Sequence, residues 1–341
     1  MKKILILGYF GYVTNQLDGQ TVKTRDMRRL LEEQFGAGNI DFYDTQEFKS
    51  SRKSIFTMFR KICCCKELVY LPAHNNLKYI FPIIWFLSKL FRFNIHYFVV
   101  GGWLCEFIQP LPVHQLMLRH IKGIHVETKQ LKSDLQQNYK YKNVDIFPNF
   151  RFSTANLNRA KAPSAPLKLA FISRVCESKG LDTLNKLYEQ VHHQGLDNLF
   201  TIDFYGQKTD SYFNTHLKDI ANYHYNGILK PEDVIPTLNK CDALIFPTHY
   251  EGEGCPGILI EALFAGLPII ASDWKYNSEF VENGVNGILC ETCNIADYVK
   301  AIHSLSENHK LIDGMSEAAI KKASEFSSEL AALCLKQILK N

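Results

Sequence analysis

Short apolar segments alternate with segments of helical periodicity, and this alternation limits the possible folds more than any other feature of the chain. In the first half, the strand-like segments are KKILILGYF, IDFYD, ELVYLP and NIHYFVV, and in the second half LKLAFISR, FTIDFYG, DALIFPT and LPIIAS. Segments with helical spacing lie between them, for example Val22–Phe35, Leu181–His193 and a stretch near Tyr212–Ala221. Alternating strands and helices predict an α/β fold, with parallel sheets covered by helices on both faces.

The chain length and one polar segment predict two domains. A chain of 341 residues is too long for one ordinary core. The segment FPNFRFSTANLNRAKAPSAPLK is polar and rich in proline, as is typical of a linker. We therefore expect a domain over residues 1–150, a linker over 151–166, a domain over 167–325 and a C-terminal helix over 326–341, which could pack back on the first domain. Two doubly wound Rossmann-like domains joined in this way would face each other across a cleft, with ligands at the carboxyl ends of the strands.

The distribution of charge and cysteine suggests partners and compartment. Residues 1–150 contain 21 Lys and Arg against 12 Asp and Glu, whereas the rest contains 18 against 23. The basic half predicts an anionic partner, and we expect no nucleic acid. MKKILILGYFGY runs directly into a strand-like block, so we expect no export signal and a cytoplasmic protein with reduced cysteines. Cys290 and Cys293 form a CxxC without a second pair, so we expect no metal.

The segment SRKSIFTMFRKICCCK has two interpretations. Ile55, Met58, Phe59 and Ile62 form an apolar stripe at helical spacing, and basic residues lie around it. The stripe either packs on the domain's own sheet or lies on an anionic membrane surface. YIFPIIWFLSKLF adds a second apolar block, but it is too short and interrupted to span a bilayer. A peripheral contact with the inner face of the plasma membrane is therefore an open alternative.

Two carboxylates flank a glycine-rich loop after the strand DALIFPT. Glu253 lies in the loop HYEGEGCPG, and Glu261 lies in the helix that follows, which we expect to end at Gly266. Free backbone N–H groups near Gly257 and Ile258 at the start of this helix suit phosphate oxygens. Carboxylates beside such an anion site would repel phosphate, so we expect them to bind sugar or ribose hydroxyls.

Two further loops supply cations and a turn. FISRVCESKGL places Arg174 just after a strand and Lys179 at the start of a helix, a workable pair for a diphosphate. NQLDGQTVKTR places Gly19 at a turn before another helix. Taken by themselves, Arg174 and Lys179 are better explained as part of a solvated helix start. Together with the two carboxylates they predict one shared site at the edge of a sheet.

These motifs resemble a known family. Arg174 with Lys179-Gly180, Glu253-Gly-x-Pro, and Glu261-Ala-Leu-x-Ala-Gly-x-Pro are similar to the motifs of retaining, nucleotide-sugar-dependent glycosyltransferases of family four, the group 1 glycosyltransferases. The resemblance is specific over about residues 168–290 and looser in the first half. It implies the GT-B fold, with an N-terminal acceptor-side domain and a C-terminal nucleotide-sugar-binding domain.

The resemblance also implies roles for the site residues. Arg174 and Lys179 would bind the leaving diphosphate, and Glu253 the hydroxyls of the donor sugar; these three are the expected catalytic residues. Glu261 would bind the ribose. The expected substrate-binding residues are Gly19, Gln20, Thr21, Gly102, Gly254, Pro256, Gly257, Ile258 and Glu261. No metal and no cofactor are expected, since basic side chains and helix ends would neutralise the departing charge.

The resemblance to this family also implies a class of substrates. The donor would be a UDP- or GDP-linked hexose, and the acceptor a saccharide on a polyprenyl diphosphate carrier in capsule, O-antigen or exopolysaccharide synthesis. Transfer would proceed with retention. Two alternatives stay open: a nucleotide-sugar epimerase of the same fold, and a non-catalytic partner subunit that binds a nucleotide sugar.

One departure from the family pattern concerns a histidine. Members often carry a His at the end of a strand in the first domain, where NIHYFVVGGW has Gly101, Gly102 and Trp103 instead. Either the sugar pocket is built differently or another His replaces it. His74 in LPAHNN also follows a strand and is a candidate, although the sequence alone favours a histidine in a surface loop.

Overall fold

The chain forms two compact units, each with its own sheet. A computed structural model describes residues 4–16, 18–50, 53–153 and 164–340. The first unit combines the residues up to Phe152 with those from Ser327 onward, and the second comprises Ser153–Phe326. Both sheets are parallel, which confirms the predicted α/β class.

The first unit contains a six-stranded parallel sheet with order β2-β1-β3-β4-β5-β6. Its strands are β1 (Ile4–Gly8), β2 (Ile40–Asp44), β3 (Glu67–Leu71), β4 (Asn94–Phe98), β5 (Gly123–Val126) and β6 (Val144–Ile146). Each residue of β1 is buried, as expected for a central strand covered on both faces. The strand order reverses between β1 and β3, so a ligand crevice is expected at the carboxyl ends of these two strands.

Seven helices of the first unit connect these strands. They are α1 (Gly19–Phe35), α2 (Glu47–Ser50), α3 (Ser54–Cys64), α4 (Phe81–Phe91), α5 (Leu104–Ile108), α6 (Pro112–Arg119) and α7 (Lys129–Tyr139). A π-helical turn over Asn76–Ile80 leads into α4. Helix α1 buries the predicted face of Met27, Leu30 and Leu31, and it ends at Gly36, whose φ of +82° suits glycine.

The second unit contains another six-stranded parallel sheet, with order β12-β11-β10-β7-β8-β9. Its strands are β7 (Leu167–Ile172), β8 (Phe200–Tyr205), β9 (Tyr223–Tyr225), β10 (Ala243–Phe246), β11 (Ile269–Ser272) and β12 (Gly287–Cys290). Read from its other edge, the order is that of the dinucleotide-binding doubly wound fold. The reversal lies between β7 and β10, and the loops after these two strands therefore flank the expected crevice.

Five helices cover this second sheet: α8 (Leu181–His193), α9 (Pro231–Leu238), α10 (Gly257–Phe264), α11 (Ile295–Glu307) and α12 (His309–Ala323). The helix predicted near Tyr212–Ala221 is wrong in extent, because only a π-helical turn over Phe213–Leu217 forms there. The Thr215 hydroxyl donates to the carbonyls of Ser211 and Tyr212, 3.1 Å away in each case. Such back-bonding by polar side chains disfavours continued α-helix.

The last helix, α13 (Ser328–Lys340), belongs to the first unit by its packing. Its buried Ala331, Ala332 and Leu335 share an apolar core with Met27 and Leu31 of α1. The small alanine side chains allow the two helices to approach closely, and burial of each large apolar side chain contributes roughly 1.5–3 kcal/mol. The chain therefore returns to its first unit after completing the second.

Candidate active site

The loop after β7 is fixed against its neighbour after β8. Gly206 has a φ of +137°, and a Cβ added there would lie 1.7 Å from the carbonyl oxygen of Ser173, so no other residue fits. One step further, the Val175 amide donates to the Gln207 carbonyl at 2.9 Å. Arg174 lies between these two anchored positions, and its side chain is exposed. The backbone thus directs a guanidinium outward from the carboxyl end of β7.

Lys179 is placed by the residue that follows it. Gly180 has a φ of +92°, and a Cβ added there would lie 2.1 Å from the carbonyl oxygen of Pro247. The close approach brings the short 3₁₀ turn Glu177–Lys179 against the end of β10. The His249 amide adds a hydrogen bond to the Ser178 carbonyl at 3.1 Å. Consequently the Lys179 side chain extends toward the loop that follows β10.

The loop that carries Glu253 is held from the opposite side by the end of β11. The Ser272 hydroxyl donates to the Thr248 carbonyl at 2.5 Å, and the Trp274 indole donates to the Tyr250 carbonyl at 2.9 Å. The Glu253 amide closes a turn onto the same Tyr250 carbonyl at 3.1 Å. Two neighbouring strands of the sheet therefore position the Glu253 carboxylate.

Lys179 and Glu253 form a buried ion pair. The Lys179 ammonium donates to both carboxylate oxygens of Glu253, and the contact with Oε2 measures 3.0 Å. Lys179 is 7% exposed and Glu253 6%. Burial lowers the pKa of Lys179 from its ordinary value of 10.5, the Glu253 carboxylate opposes this shift, and nearby Arg174 adds to it. The resemblance implied separate roles for Lys179 and Glu253, whereas in the structure the two side chains contact each other directly.

Tyr250 lies between the two cations of the site. The Lys179 ammonium is 4.6 Å from the centroid of its ring, and the Arg174 guanidinium carbon is 4.9 Å from the same centroid. Both distances are typical of cation–π contacts, which orient a cation without neutralising it. Sequence reasoning missed this residue, whose one signal was an aromatic side chain in the glycine-rich loop.

The start of α10 presents backbone donors beside this ion pair. The helix begins at Gly257 after Pro256, and no described side chain caps it. The N–H groups of Gly257 and Ile258 belong to the first turn, which lacks intrahelical acceptors. Glu261 lies one turn further on and is half-buried, whereas Gly254 in the loop before the helix is buried. The helix ends at Phe264 with Ala265 as its C-cap, two residues before the predicted end at Gly266, which has a φ of +61°.

In the first unit, the start of helix α1 differs from the prediction. Gly19 is the first residue of α1 rather than part of a preceding turn, because Asp18 is the N-cap. The Thr21 amide donates to the Asp18 carboxylate at 2.9 Å, and the Asp18 amide donates to the Thr21 hydroxyl at 2.8 Å. A phosphate cradle at this helix start would therefore have to use the amides of Gly19 and Gln20. The side-chain nitrogen of Gln20 is enclosed and has no hydrogen-bond partner among the described residues.

His74 follows the carboxyl end of β3 in the first unit. Its exposed ring stacks on the indole of Trp103, with the centroids 3.7 Å apart, and Phe107 contacts both rings edge-on. The Trp103 indole is fixed by a hydrogen bond to the Val100 carbonyl at 2.7 Å. Packing against Trp103 and Phe107 partly desolvates the His74 ring, and this lowers its pKa from the ordinary value. Gly102 is buried within the turn next to this stack.

The part of the chain that the structure describes brings no three His, Cys, Asp or Glu side chains together in a way that could hold a metal ion. Cys290 is buried at the end of β12, and Cys293 is exposed in the loop beyond it. The candidate site itself combines two cations, a helix start, carboxylates and an aromatic ring.

The fold is the GT-B fold of glycosyltransferases. A solved structure of Anabaena HepE in complex with UDP and glucose superposes with a TM-score of 0.74, at 15% identity and with coverage of 100% of both chains. This likeness extends over both units and confirms the predicted fold class.

The sequence match identifies the family. The model "Glycosyl transferases group 1" matches residues 153–322, so this part of the chain is a group 1 glycosyltransferase domain, as its motifs predicted. A poly(ribitol-phosphate) alpha-N-acetylglucosaminyltransferase of Staphylococcus aureus is 28% identical over 56% of this chain and 38% of its own length. An N,N'-diacetylbacillosaminyl-diphospho-undecaprenol alpha-1,3-N-acetylgalactosaminyltransferase of Campylobacter jejuni is 28% identical over 32% of this chain and 28% of its own length. The chain thus matches less than half of the length of these two relatives.

Proposed function

We propose that this protein is a glycosyltransferase that moves a hexose-type sugar from UDP or GDP to a saccharide acceptor, with retention and without a metal. The observation that carries the proposal is the buried contact between Lys179 and Glu253, built from the two loops that flank the strand-order reversal of the second sheet. Arg174 and the start of α10 add a second cation and backbone donors at the same edge. This set of groups suits a diphosphate attached to a sugar.

The proposed reaction uses these groups in distinct ways. The bond between the anomeric carbon and the β-phosphate oxygen breaks, and a bond from that carbon to an acceptor oxygen forms. Lys179 and Arg174 stabilise the charge that develops on the leaving diphosphate, together with the amides of Gly257 and Ile258. The acceptor's proton goes to an oxygen of the leaving phosphate, so no protein base is required.

Glu253 has two tasks in this scheme. Its carboxylate keeps the buried Lys179 ammonium charged and oriented, which the burial alone would oppose. It also accepts hydrogen bonds from hydroxyls of the donor sugar through its remaining lone pairs. Glu261, one helical turn into α10, accepts from the ribose hydroxyls. In the first unit, His74, stacked on Trp103 after a strand, is the candidate replacement for the histidine that the family carries at a strand end, and its imidazole can bond a sugar hydroxyl.

The proposed acceptor is a bacterial surface glycan that grows on a polyprenyl diphosphate carrier, at the cytoplasmic face of the membrane. Two observations support this. The names of the two relatives refer to a ribitol-phosphate polymer and to a diphospho-undecaprenol-linked sugar. In addition, residues 51–100 contain eight Lys and Arg against one acidic residue, Glu67, which favours an anionic carrier.

A panel of nucleotide sugars tests the proposal. We expect UDP or GDP, and one of their sugars, to raise the unfolding temperature, because a ligand that binds the native state alone stabilises it. The same sugar should be hydrolysed slowly without acceptor, and transferred with it. A donor converted to its epimer would instead identify an epimerase. Binding without hydrolysis or transfer would identify a non-catalytic subunit.

A further inference from the structure

Large apolar side chains are exposed together on one side of the first unit. Of the fifteen exposed in the described part of the chain, eight lie between residues 56 and 116, and each of the eight is at least 48% exposed. We call these eight the apolar face: Phe56, Tyr79, Ile83, Phe86, Leu90, Phe91, Val113 and Leu116. Such a concentration on one surface marks an interaction site rather than ordinary scattered exposure.

Helix α4 is the centre of this face. Tyr79, in the turn before the helix, and Ile83, Phe86 and Leu90 follow one another at spacings of four, three and four, so they form one row along the outer side. The inner side of the same helix buries Phe81 and Ile84. Apolar residues on both sides are typical of a helix whose outer side also meets an apolar phase or a partner.

The flanking helices extend the row into a surface. Helices α3 and α6 both pack beside α4, and they contribute Phe56 on one side and Val113 with Leu116 on the other. The stripe that the sequence suggested on α3 is not part of this surface. Met58 and Ile62 from that stripe are fully buried, so for them the interpretation as core residues is correct.

Positive charge surrounds the apolar face. Residues 53–122 contain nine Lys and Arg but two acidic residues, Glu67 and Glu106. Lys78 in the turn before α4 and Lys89 in α4 are exposed, and each directly neighbours a residue of the apolar row in the sequence. The Lys78 ammonium is 5.3 Å from the ring centroid of Tyr79, and that of Lys89 is 5.1 Å from the ring of Trp85. Aromatic and aliphatic groups bordered by lysines match the boundary between acyl chains and anionic headgroups.

We propose that the apolar face docks this protein on an anionic membrane. The side chains of α4, α3 and α6 enter the headgroup boundary, and Lys78, Lys89 and their basic neighbours contact lipid phosphates. No helix among the described residues is long and apolar enough to cross a membrane. A second copy of the chain is a poorer occupant, because a two-fold interface would set the same basic residues against each other.

Vesicle flotation tests this proposal independently of any transferase activity. The wild-type protein should float with vesicles of phosphatidylcholine containing phosphatidylglycerol at low salt, float weakly with phosphatidylcholine alone, and be released as salt rises. The double variant Phe86→Glu/Leu90→Glu should lower partitioning by about tenfold or more. The matched control is Leu333→Glu, a 60% exposed apolar residue on α13 of the same unit, which should float like wild type.

A second pair of variants tests the charge. Lys78→Gln/Lys89→Gln removes two of the flanking cations and should lower partitioning on anionic vesicles by about tenfold or more while leaving binding to phosphatidylcholine unchanged. Absence of flotation on anionic vesicles at low salt would overturn the proposal, as would unchanged flotation of the Phe86/Leu90 variant. A wild-type dimer in sedimentation that this variant dissociates would assign the face to a second copy instead.

Discussion

The ammonium of Lys179 lies 3.0 Å from Oε2 of Glu253, and both side chains are almost completely buried although 74 positions separate them in the sequence. Removing either partner leaves an uncompensated charge inside the protein, which costs about 3–5 kcal/mol. Alanine at either position is therefore expected to weaken the fold as well as the reaction. Glu253→Gln is the better probe of the carboxylate, because it keeps the size and one hydrogen-bond acceptor.

The pH dependence of nucleotide binding should report on Lys179. Burial lowers the pKa of Lys179 below its ordinary value of 10.5, so this ammonium loses its proton at a lower pH than an exposed lysine does. UDP or GDP affinity, measured by calorimetry from pH 7 upward, should fall as Lys179 loses its proton. Glu253→Gln should move that fall to lower pH, because the carboxylate raises the pKa. Lys179→Arg should remove the fall, and an unchanged profile in both variants would contradict the assignment.

Gly180 should tolerate no side chain. Its φ of +92° already disfavours alanine, and the new Cβ would meet the Pro247 carbonyl oxygen at 2.1 Å. We expect Gly180→Ala to lower the free energy of unfolding by more than about 2 kcal/mol and to weaken nucleotide binding. Gly195→Ala is the matched control. Gly195 has a φ of +70°, and a Cβ added there would have no neighbour within 4 Å, so this variant measures the cost of the positive φ alone. Equal losses in denaturant unfolding would show that the contact with Pro247 is unimportant.

His74 should contribute to turnover rather than to folding. Its ring is exposed on top of Trp103, so His74→Ala is expected to leave the unfolding temperature nearly unchanged. We expect kcat/KM for transfer to fall by about 2- to 10-fold, the range for losing one hydrogen bond between neutral groups. His193→Ala, an exposed histidine at the end of α8, serves as the control. Full activity of His74→Ala would mean that the sugar site lacks this imidazole.

A buried histidine pair in the first unit should make the protein sensitive to acid. His125 contacts His96 at 3.2 Å, and burial, aided by His96, lowers the pKa of His125 to about 3. Between about pH 6.5 and pH 3 the unfolded chain binds this proton and the folded chain does not, so the free energy of unfolding falls as pH falls. Urea unfolding at pH 7 and pH 5 should show a smaller decrease for His125→Gln than for wild type. A decrease of the same size in the variant would rule out His125 as a source.

Much of the fold could be predicted because parallel strands produce a strong pattern. Segments such as LKLAFISR and DALIFPT are short and continuously apolar, and the loops after them carry Arg174, Lys179 and Glu253. The strands β5, β6, β9 and β12, of three or four residues each, were missed. In β9, two of those residues are also exposed, which removes the apolar signal.

The contacts within the site could not be predicted in the same way. The pair of Lys179 and Glu253 depends on Gly180 meeting the Pro247 carbonyl, a three-dimensional contact that no sequence spacing reveals. The capping of α1 by Asp18 has a local signal in the sequence, since Thr21 follows three positions later. The prediction instead took Gly19 as the residue of a turn. The exposed row of α4 resembles a buried helix in sequence, because both of its sides are apolar.

The central claim is that the cation and carboxylate at the strand-order reversal of the second sheet serve sugar transfer, and one comparison tests it most directly. Transfer from the donor identified by the nucleotide panel should be measured for wild type, Glu253→Gln, Lys179→Arg and the surface control Lys218→Ala, each verified as folded. We expect losses of about 100- to 1,000-fold for Glu253→Gln and Lys179→Arg, and none for Lys218→Ala. Near-normal turnover in folded Glu253→Gln and Lys179→Arg would contradict the proposed site.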